Sequence, residues 1–258
     1  MPPLLSVRDV TIRFGGVTAL DRVSFDIAAG QIVGLIGPNG AGKTSLFNCI
    51  SRLYQPSSGS IRFLDQELLD VRPHQVIHLG IARTFQNVAL FGRMSVLDNV
   101  LVGDHAHIKS NTLSSALRLP HARHAERAAV HRALRALDVV DLRPSAGTLA
   151  GSLPFAIQKR VELARALVSH PILLLLDEPA GGLNHTEVGE LRHLIQRIHA
   201  EYQLTVLLVE HHMNLVMSIS RQVVVLSFGR KLADGTPEEV RNDPAVIQAY
   251  LGAASAAA

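Results

Sequence analysis

The sequence predicts an α/β protein built on a parallel sheet with helices on both faces and a helix-rich insertion in its middle. Three observations carry that expectation. Through the second half, short apolar runs alternate with amphipathic stretches: ILLLLD (172–177), a helix over about 185–201, TVLLVE (205–210), a helix from Met213, and QVVVLS (222–227). Repeated β-α-β units produce this order. Nearer the N-terminus the apolar run QIVGLIG (31–37) passes through glycines straight into the helical start KTSLFNCISRLY. Between about Phe91 and Leu153 the strand signal fades. There HARHAERAAVHRALRALDVVDL places Val130, Ala133, Leu134 and Leu137 on one helical face.

The remaining elements follow in order. LLSVRDVTIRF alternates Val10, Ile12 and Phe14 with Asp9, Thr11 and Arg13, a half-buried strand pattern, and Gly15-Gly16 turns the chain. SSGSIRFLD is a turn and a further strand, and the alanine-rich tail ASAAA should fray. A chain of 258 residues forms one large domain or one domain with an inserted subdomain. Apolar residues make up 47% of it, yet no run approaches the ~18 residues of a membrane span. MPPLLSVRD lacks the charged start and long apolar core of a secretion signal. The single cysteine, Cys49, excludes an internal disulfide and fits a reducing compartment. A net charge of +3 is too small to argue for nucleic acid. A soluble, intracellular protein is expected.

GPNGAGKTS fits the spacing G-x-x-x-x-G-K-[ST] after a strand and at the opening of a helix. Each part has a chemical task. Around Gly37, Asn39, Gly40, Ala41 and Gly42 the backbone N–H groups can converge on phosphate oxygens, Pro38 shaping the loop without an N–H of its own, and the helix start favours an anion. Lys43 adds a point charge, and the hydroxyl of Thr44, next to Ser45, is a hard oxygen ligand suited to Mg²⁺. ILLLLDEP delivers Asp177 and Glu178 at a strand's C-terminal end, where open α/β sheets bind ligands. Asp177 would reach the Mg²⁺ shell, and Glu178 is placed to polarise an attacking water.

With these residues in view, the chain resembles an ATP-binding cassette ATPase from Leu4 to about Leu251. The resemblance implies a P-loop NTPase (RecA-like) core with an N-terminal antiparallel β subdomain and an inserted α-helical subdomain. The expected division is a core with its β subdomain over 1–90 and 160–235, an insert over 91–159, and a helical tail over 236–258. Phe14 stands where the family stacks an aromatic on adenine. Gln86 in RTFQN matches the glutamine that links Mg²⁺ and water to the transmembrane partner. His211 matches the switch histidine at the γ-phosphate, and AGGLN (180–184) matches the loop after the catalytic glutamate. ATP and Mg²⁺ are the implied ligands. RTFQNVALFGRMSVLDNVLVG, EPAGGLN, VEHHMNLVM and GTPEEVRNDPAVIQAYLG resemble the ATPase subunits of branched-chain amino-acid importers and of related importers of small organic solutes. His212 departs from that group, which usually carries Asp there.

A further departure lies in LPFAI (153–157), where the family carries the signature LSGGQ that reaches the partner subunit's ATP. Leu153 matches. Pro154 replaces the serine, offering neither N–H nor hydroxyl. Phe155 and Ala156 set a Cβ where close backbone approach is needed, and Ile157 replaces the glutamine. The helix dipole remains.

The weaker signals read as surface. His105, His107, His121, His124 and His131 lack the carboxylate or cysteine that would complete a zinc-like set. Arg118, Arg123, Arg127, Arg132 and Arg135 read as a solvated face, the sharper alternative being a surface beside anionic lipid or a permease loop. The expected function is the ATP-hydrolysing subunit of an importer, peripheral on the cytoplasmic face of the membrane. It would be paired with permease subunits and with a second ATPase subunit, a heterodimer being favoured over a homodimer. An export or lipid-extraction ATPase, or a slow-turnover regulatory module, is the alternative.

Overall fold

The computed structural model describes residues 2–84, 88–107 and 120–255. Its first strand, β1 (Leu5–Phe14), sends Leu5, Val7, Val10 and Ile12 inward. The step from Val7 to Val10 breaks the two-residue alternation. The register shifts there while Asp9 takes a left-handed φ of 48°, the mark of a bulge. β2 (Val17–Ile27) returns antiparallel. β3 (Ile32–Ile36) and α1 (Lys43–Ile50) are joined by the glycine-rich loop. β4 (Ser58–Phe63) and the two-residue β5 (Gln66–Glu67) complete an antiparallel sheet in the order β2-β1-β4-β5.

β6 (Ile81–Arg83) is followed by α2 (Val96–Gly103), α3 (Pro120–Val139) and α4 (Phe155–Leu167). Then come β7 (Leu173–Asp177), α5 (His185–Tyr202), β8 (Thr205–Val209), α6 (Met213–Ile219) and β9 (Gln222–Ser227). β10 (Arg230–Gly235), α7 (Pro237–Asn242) and α8 (Pro244–Ser255) close the described chain. The second sheet has the order β10-β9-β3-β8-β7-β6, parallel except for β10.

Alternation along those strands divides the interior into two cores. Ile32 and Ile36 of β3, Leu174 and Leu176 of β7, and Val206 and Leu208 of β8 face the helices. Val33, Leu35, Leu173, Leu175, Leu207 and Val209 face α1 and the antiparallel sheet. Every residue of β3, β7 and β8 is buried, as expected for parallel strands covered on both sides. At about 1.5–3 kcal/mol for each large apolar side chain, this central ribbon holds the strand ends in place. The polar residues that follow each strand therefore emerge along one edge.

The insertion is closed at its neck by backbone pairing. Val96 and Leu97 donate to the carbonyls of Thr148 and Ala146, while Ala150 and Gly151 donate to those of Met94 and Gly92. A Cβ on Gly151 would lie 2.9 Å from the Gly92 carbonyl oxygen. Within it, the buried residues of α3 include Ala129, Ala133, Ala136 and Leu137, continued by Val140 just past its end. Val130 and Leu134 are only half-buried, so the inward face is rotated from the expected one towards the alanines, which let α3 approach its neighbours closely. Arg132 corrects the reading of a uniformly solvated basic face. It forms a two-pronged ion pair with the fully buried Asp104, at 3.0 and 2.6 Å, that ties α3 to the turn after α2. Arg127, Arg135, His124 and His131 are exposed, while Arg118 lies outside the described residues. Among those residues no helix is long and apolar enough to cross a membrane.

Candidate functional site

β3 ends at Ile36, and the loop 37–42 bends back over the first turn of α1. Gly40 adopts φ 77° and Gly42 φ 101°. A Cβ on Gly42 would meet the Ala19 carbonyl oxygen at 2.6 Å and Leu20 Cδ2 at 2.7 Å, so both conformation and space demand glycine. Gly42 is the N-cap of α1 and brings no side-chain cap to its amides. Lys43 curls back under the loop, its Nζ donating to the carbonyls of Gly37 at 2.7 Å and Pro38 at 3.0 Å. Burial lowers its pKa below the ordinary lysine value, against the opposing pull of the Glu178 and Asp177 carboxylates. Thr44 is exposed at the helix opening, Ser45 is half-buried, and Asn39 and Gly40 are exposed at the loop's rim.

Asp177 and Glu178 lie at the end of β7. Asp177 is buried, and its Oδ2 accepts from Arg83 Nη2 at 2.7 Å. Glu178 takes a left-handed φ of 46°, rare for a residue with a Cβ, and its N–H donates to the Val209 carbonyl at 2.9 Å. This conformation turns its side chain away from the strand's line. One strand further on, His211 stands with Nδ1 3.9 Å from Glu178 Oε2 and a side chain 56% exposed. An open cleft of about 400 Å³ beside it is lined by Leu183, His185, His211 and His212 among others. Glu210, His211 and His212 bring potential ligand atoms within 4.8 Å of one another. The Glu210 oxygens, however, already accept three backbone N–H groups, so the trio reads as an anchor rather than a metal centre.

Phe14 is 46% exposed at the end of β1, its ring meeting Tyr54 edge-on at 5.2 Å. It is a presented ring, not a core residue. Gln86 lies outside the described residues. The LPFAI loop opens α4, with Pro154 as N-cap and no side-chain cap. Ile157 and Gln158 both return their N–H groups to the Pro154 carbonyl at 3.0 Å. The Phe155 ring lies against Gly182, where a Cβ would come within 3.0 Å of it, and Lys159 Nζ sits 5.2 Å from the ring centre. Leu153, Ala156 and Ile157 are half-buried. Lys43, Asp177, Glu178 and His211 thus gather along one edge of the central sheet, while LPFAI belongs to the helical side.

Comparison with known proteins identifies the arrangement. Residues 20–181 match the profile described as ABC transporter, and residues 230–256 match that of the branched-chain amino acid ATP-binding cassette transporter. The chain belongs to the ABC transporter family. It is an ATP-binding, ATP-hydrolysing subunit of that family. It is 45% identical over 252 residues, 98% of this chain and 99% of the relative, to the high-affinity branched-chain amino acid transport ATP-binding protein BraF of Pseudomonas aeruginosa. To LivG of Escherichia coli K12, a protein with the same description, it is 44% identical over 252 residues, again 98% and 99% of the two chains. Among solved structures, the ADP conformation of MJ1267, an ATP-binding cassette of an ABC transporter, matches with a TM-score of 0.85 and 28% identity, covering 98% of this chain and 100% of that one.

This ABC ATPase also contains polar residues to which its sequence motifs assign no role. Arg83, just before the glutamine segment, donates to Asn48 Oδ1 at 2.7 Å, Ser51 Oγ at 2.8 Å and Asp177, and lies over the Phe47 ring. It thereby braces the strand-end aspartate against α1. Glu162 and Arg165 of α4 bond both backbone groups of Ala89, which follows the RTFQN stretch in the chain, at 3.3 and 2.6 Å. Asn184, where the family more widely has Asp, forms a reciprocal cap with Glu187 that starts α5. His212 makes no such cap for α6.

Proposed function

We propose that this chain powers the import of branched-chain amino acids or related small organic solutes through separate permease subunits. The observation that carries the chemistry is the convergence of Lys43, Asp177, Glu178 and His211 at the ends of three adjacent parallel strands. Lys43 and the amides of the 37–45 loop hold the ATP phosphates, and Phe14 stacks on adenine. Glu178 orients and polarises the water that attacks the γ-phosphorus, and His211 contacts the γ-phosphate as charge builds on it. Catalysis on this reading is mainly positioning and charge stabilisation.

The donor set suits Mg²⁺: the exposed hydroxyl of Thr44 and the carboxylate of Asp177 are hard oxygen ligands, with Gln86 as the third candidate. Bound there, Mg²⁺ would neutralise phosphate charge. Arg83 holds the Asp177 carboxylate in place for that task.

Two ATPase subunits pack head to tail with nucleotide between them, each presenting its 153–157 loop to the other's ATP. A heterodimer is the favoured assembly, because this chain's own nucleotide groups are complete while the loop it offers its partner is altered. The 91–159 insert carries the motion to the permease, on the cytoplasmic face of the membrane, and the core (1–90 and 160–235) holds nucleotide. Support for the substrate class comes from the relatives' descriptions and from the match over 230–256. Reconstitution with the cognate permease tests the whole reading. Vesicles should accumulate labelled leucine with ATP, and lose uptake with Glu178→Gln. ATP-driven export, or uptake indifferent to Glu178→Gln, would overturn it.

A further inference from the structure

Glu210 follows the last residue of β8, directly before His211, and is completely buried. A carboxylate taken out of water is expensive unless its oxygens find donors. Here they find three, all backbone amides. Oε1 accepts from the N–H of Ala180 at 2.6 Å. Oε2 accepts from the N–H groups of His211 at 3.0 Å and His212 at 3.2 Å. Ala180 lies two residues after Glu178 in the loop leaving β7, and the two histidines form the loop leading into α6. One side chain therefore bonds the peptide planes of two loops that emerge from neighbouring strands.

The surroundings suit an anion at this point. Lys159 is buried on α4, and burial lowers its pKa, while the carboxylates of Glu162, Glu210 and Glu178 pull the other way. Lys159 supplies positive charge near both Glu210 and Glu178. Bonds from backbone N–H groups to an ionised acceptor are among the stronger ones available.

We propose that Glu210 is a positioning residue for ATP hydrolysis. It fixes the Glu178 loop against the His211 loop, so that the water-polarising carboxylate and the γ-phosphate contact address the same phosphate. The proposal rests on the roles of Glu178 and His211 given above.

Glutamine is nearly isosteric with glutamate, but only one of its two terminal atoms accepts. Whichever way it is turned, its NH₂ group meets either the Ala180 N–H or the His211–His212 pair, donor against donor. Glu210→Gln thus releases one loop without emptying the space. Displacement of a reacting group by about 1 Å can cost on the order of 100-fold, so kcat should fall about 10- to 100-fold. ATP affinity should stay within about threefold, because the 37–45 loop is untouched; a purely structural lesion would move both.

Glu178→Gln is assayed beside it. Loss of hydrolysis in Glu178→Gln with kcat of Glu210→Gln within twofold of the parent overturns the positioning role alone. Near-parental hydrolysis by Glu178→Gln removes the reading beneath the proposal and the proposal with it. Hydrogen exchange on the unmodified protein guards against a variant that fails to fold. The amides of Ala180, His211 and His212 should exchange far more slowly than open loop amides, and exchange at the open-loop rate overturns the proposal.

Discussion

Two helix openings in this molecule invite comparison: the start of α1 at the 37–45 loop and the start of α4 at LPFAI. Both lack a side-chain cap. By contrast α2, α5 and α7 are capped by Ser95, Asn184 and Thr236. An uncapped helix start leaves amides and dipole available to an outside anion. Thus α1 and α4 share an offer of partial positive charge, as does the short α6, whose N-cap His212 also makes no side-chain cap. What differs is how near an anion can come. Gly40 and Gly42 bare the backbone before α1, and Lys43 adds full charge. Pro154, Phe155 and Ala156 clothe the start of α4 with carbon, and the Phe155 ring turns onto its own chain at Gly182. On the proposed reading, the described groups that serve this subunit's own nucleotide are unaltered, and the alteration falls on what it extends outward.

The largest expected effects test the complete half. Lys43→Ala should abolish productive ATP binding, measured by equilibrium titration, since it removes the charge at the phosphates. Glu178→Gln should leave nucleotide affinity within about threefold but lower turnover by roughly 100- to 10,000-fold, the usual contribution of a general base. Rapid phosphate release by the Glu178 variant would break the comparison at its stronger side.

A smaller effect tests the altered half. Ala156→Gly should let the backbone approach a phosphate, and one charge-assisted bond of about 1.5–3 kcal/mol corresponds to tenfold or more. Turnover of the purified chain alone should rise by about that factor. With a partner carrying a glycine-rich loop, the gain should be confined to the partner's site. Fast hydrolysis by the unaltered chain alone, unchanged by Ala156→Gly, would mean that the dipole suffices and that the asymmetry carries no consequence.

What could be read before the structure follows from where the information lies. The 37–45 loop, Asp177 and Glu178 are local words, and the fully buried strands β3, β7 and β8, with β9 buried along its middle, announce themselves as apolar runs. β10 does not, because it is an edge strand with a largely exposed pattern. β6 is three residues long. β2 mixes its buried positions with Asp21, Arg22 and Asp26, so its periodicity is blurred. The bracing residues are harder still. Arg83 meets Asp177 across 94 positions, and Glu210 meets Ala180 across 30. A charged residue at a strand's end reads as a solvated terminus until the fold brings it a partner. α3's inward face keeps the expected Ala133 and Leu137 but takes Ala129 and Ala136 in place of Val130 and Leu134, because alanines carry less hydrophobic weight than the leucine and valine beside them.

Phe14→Ala comes next in size. Aromatic stacking on a base is worth about 1–3 kcal/mol and tolerates either purine. ATP and GTP should therefore weaken together, by roughly 5- to 100-fold, while thermal stability barely changes, because the ring is presented to solvent and to Tyr54. Unchanged affinity with a marked fall in melting temperature would make Phe14 a packing residue.

Phe155→Ala should have the smallest effect, and its sign depends on Lys159. The ring is 46% exposed and covers only part of its surface against Gly182 and Lys159, so truncation loses roughly 1 kcal/mol of apolar burial. It also loses a cation–π contact of about 0.5–1 kcal/mol. Renewed hydration of Lys159 offsets part of this, leaving a net loss near 1 kcal/mol, or about 2–4 °C in a domain of this size. The pH dependence is sharper. Lys159 has a folded pKa below its unfolded value, so the folded state binds fewer protons in the window between them. Stability then rises with pH from the folded pKa towards the ordinary lysine value of 10.5. Exposing Lys159 to water moves its pKa back up and flattens that rise. The gap in melting temperature between parent and Phe155→Ala should thus be wider at pH 9.5 than at pH 7.5, with ATP affinity of the chain's own site unchanged. A constant gap would show that the ring does not shield Lys159. Weakened ATP binding in the isolated chain would place Phe155 at its own nucleotide, against the division between inward and outward groups.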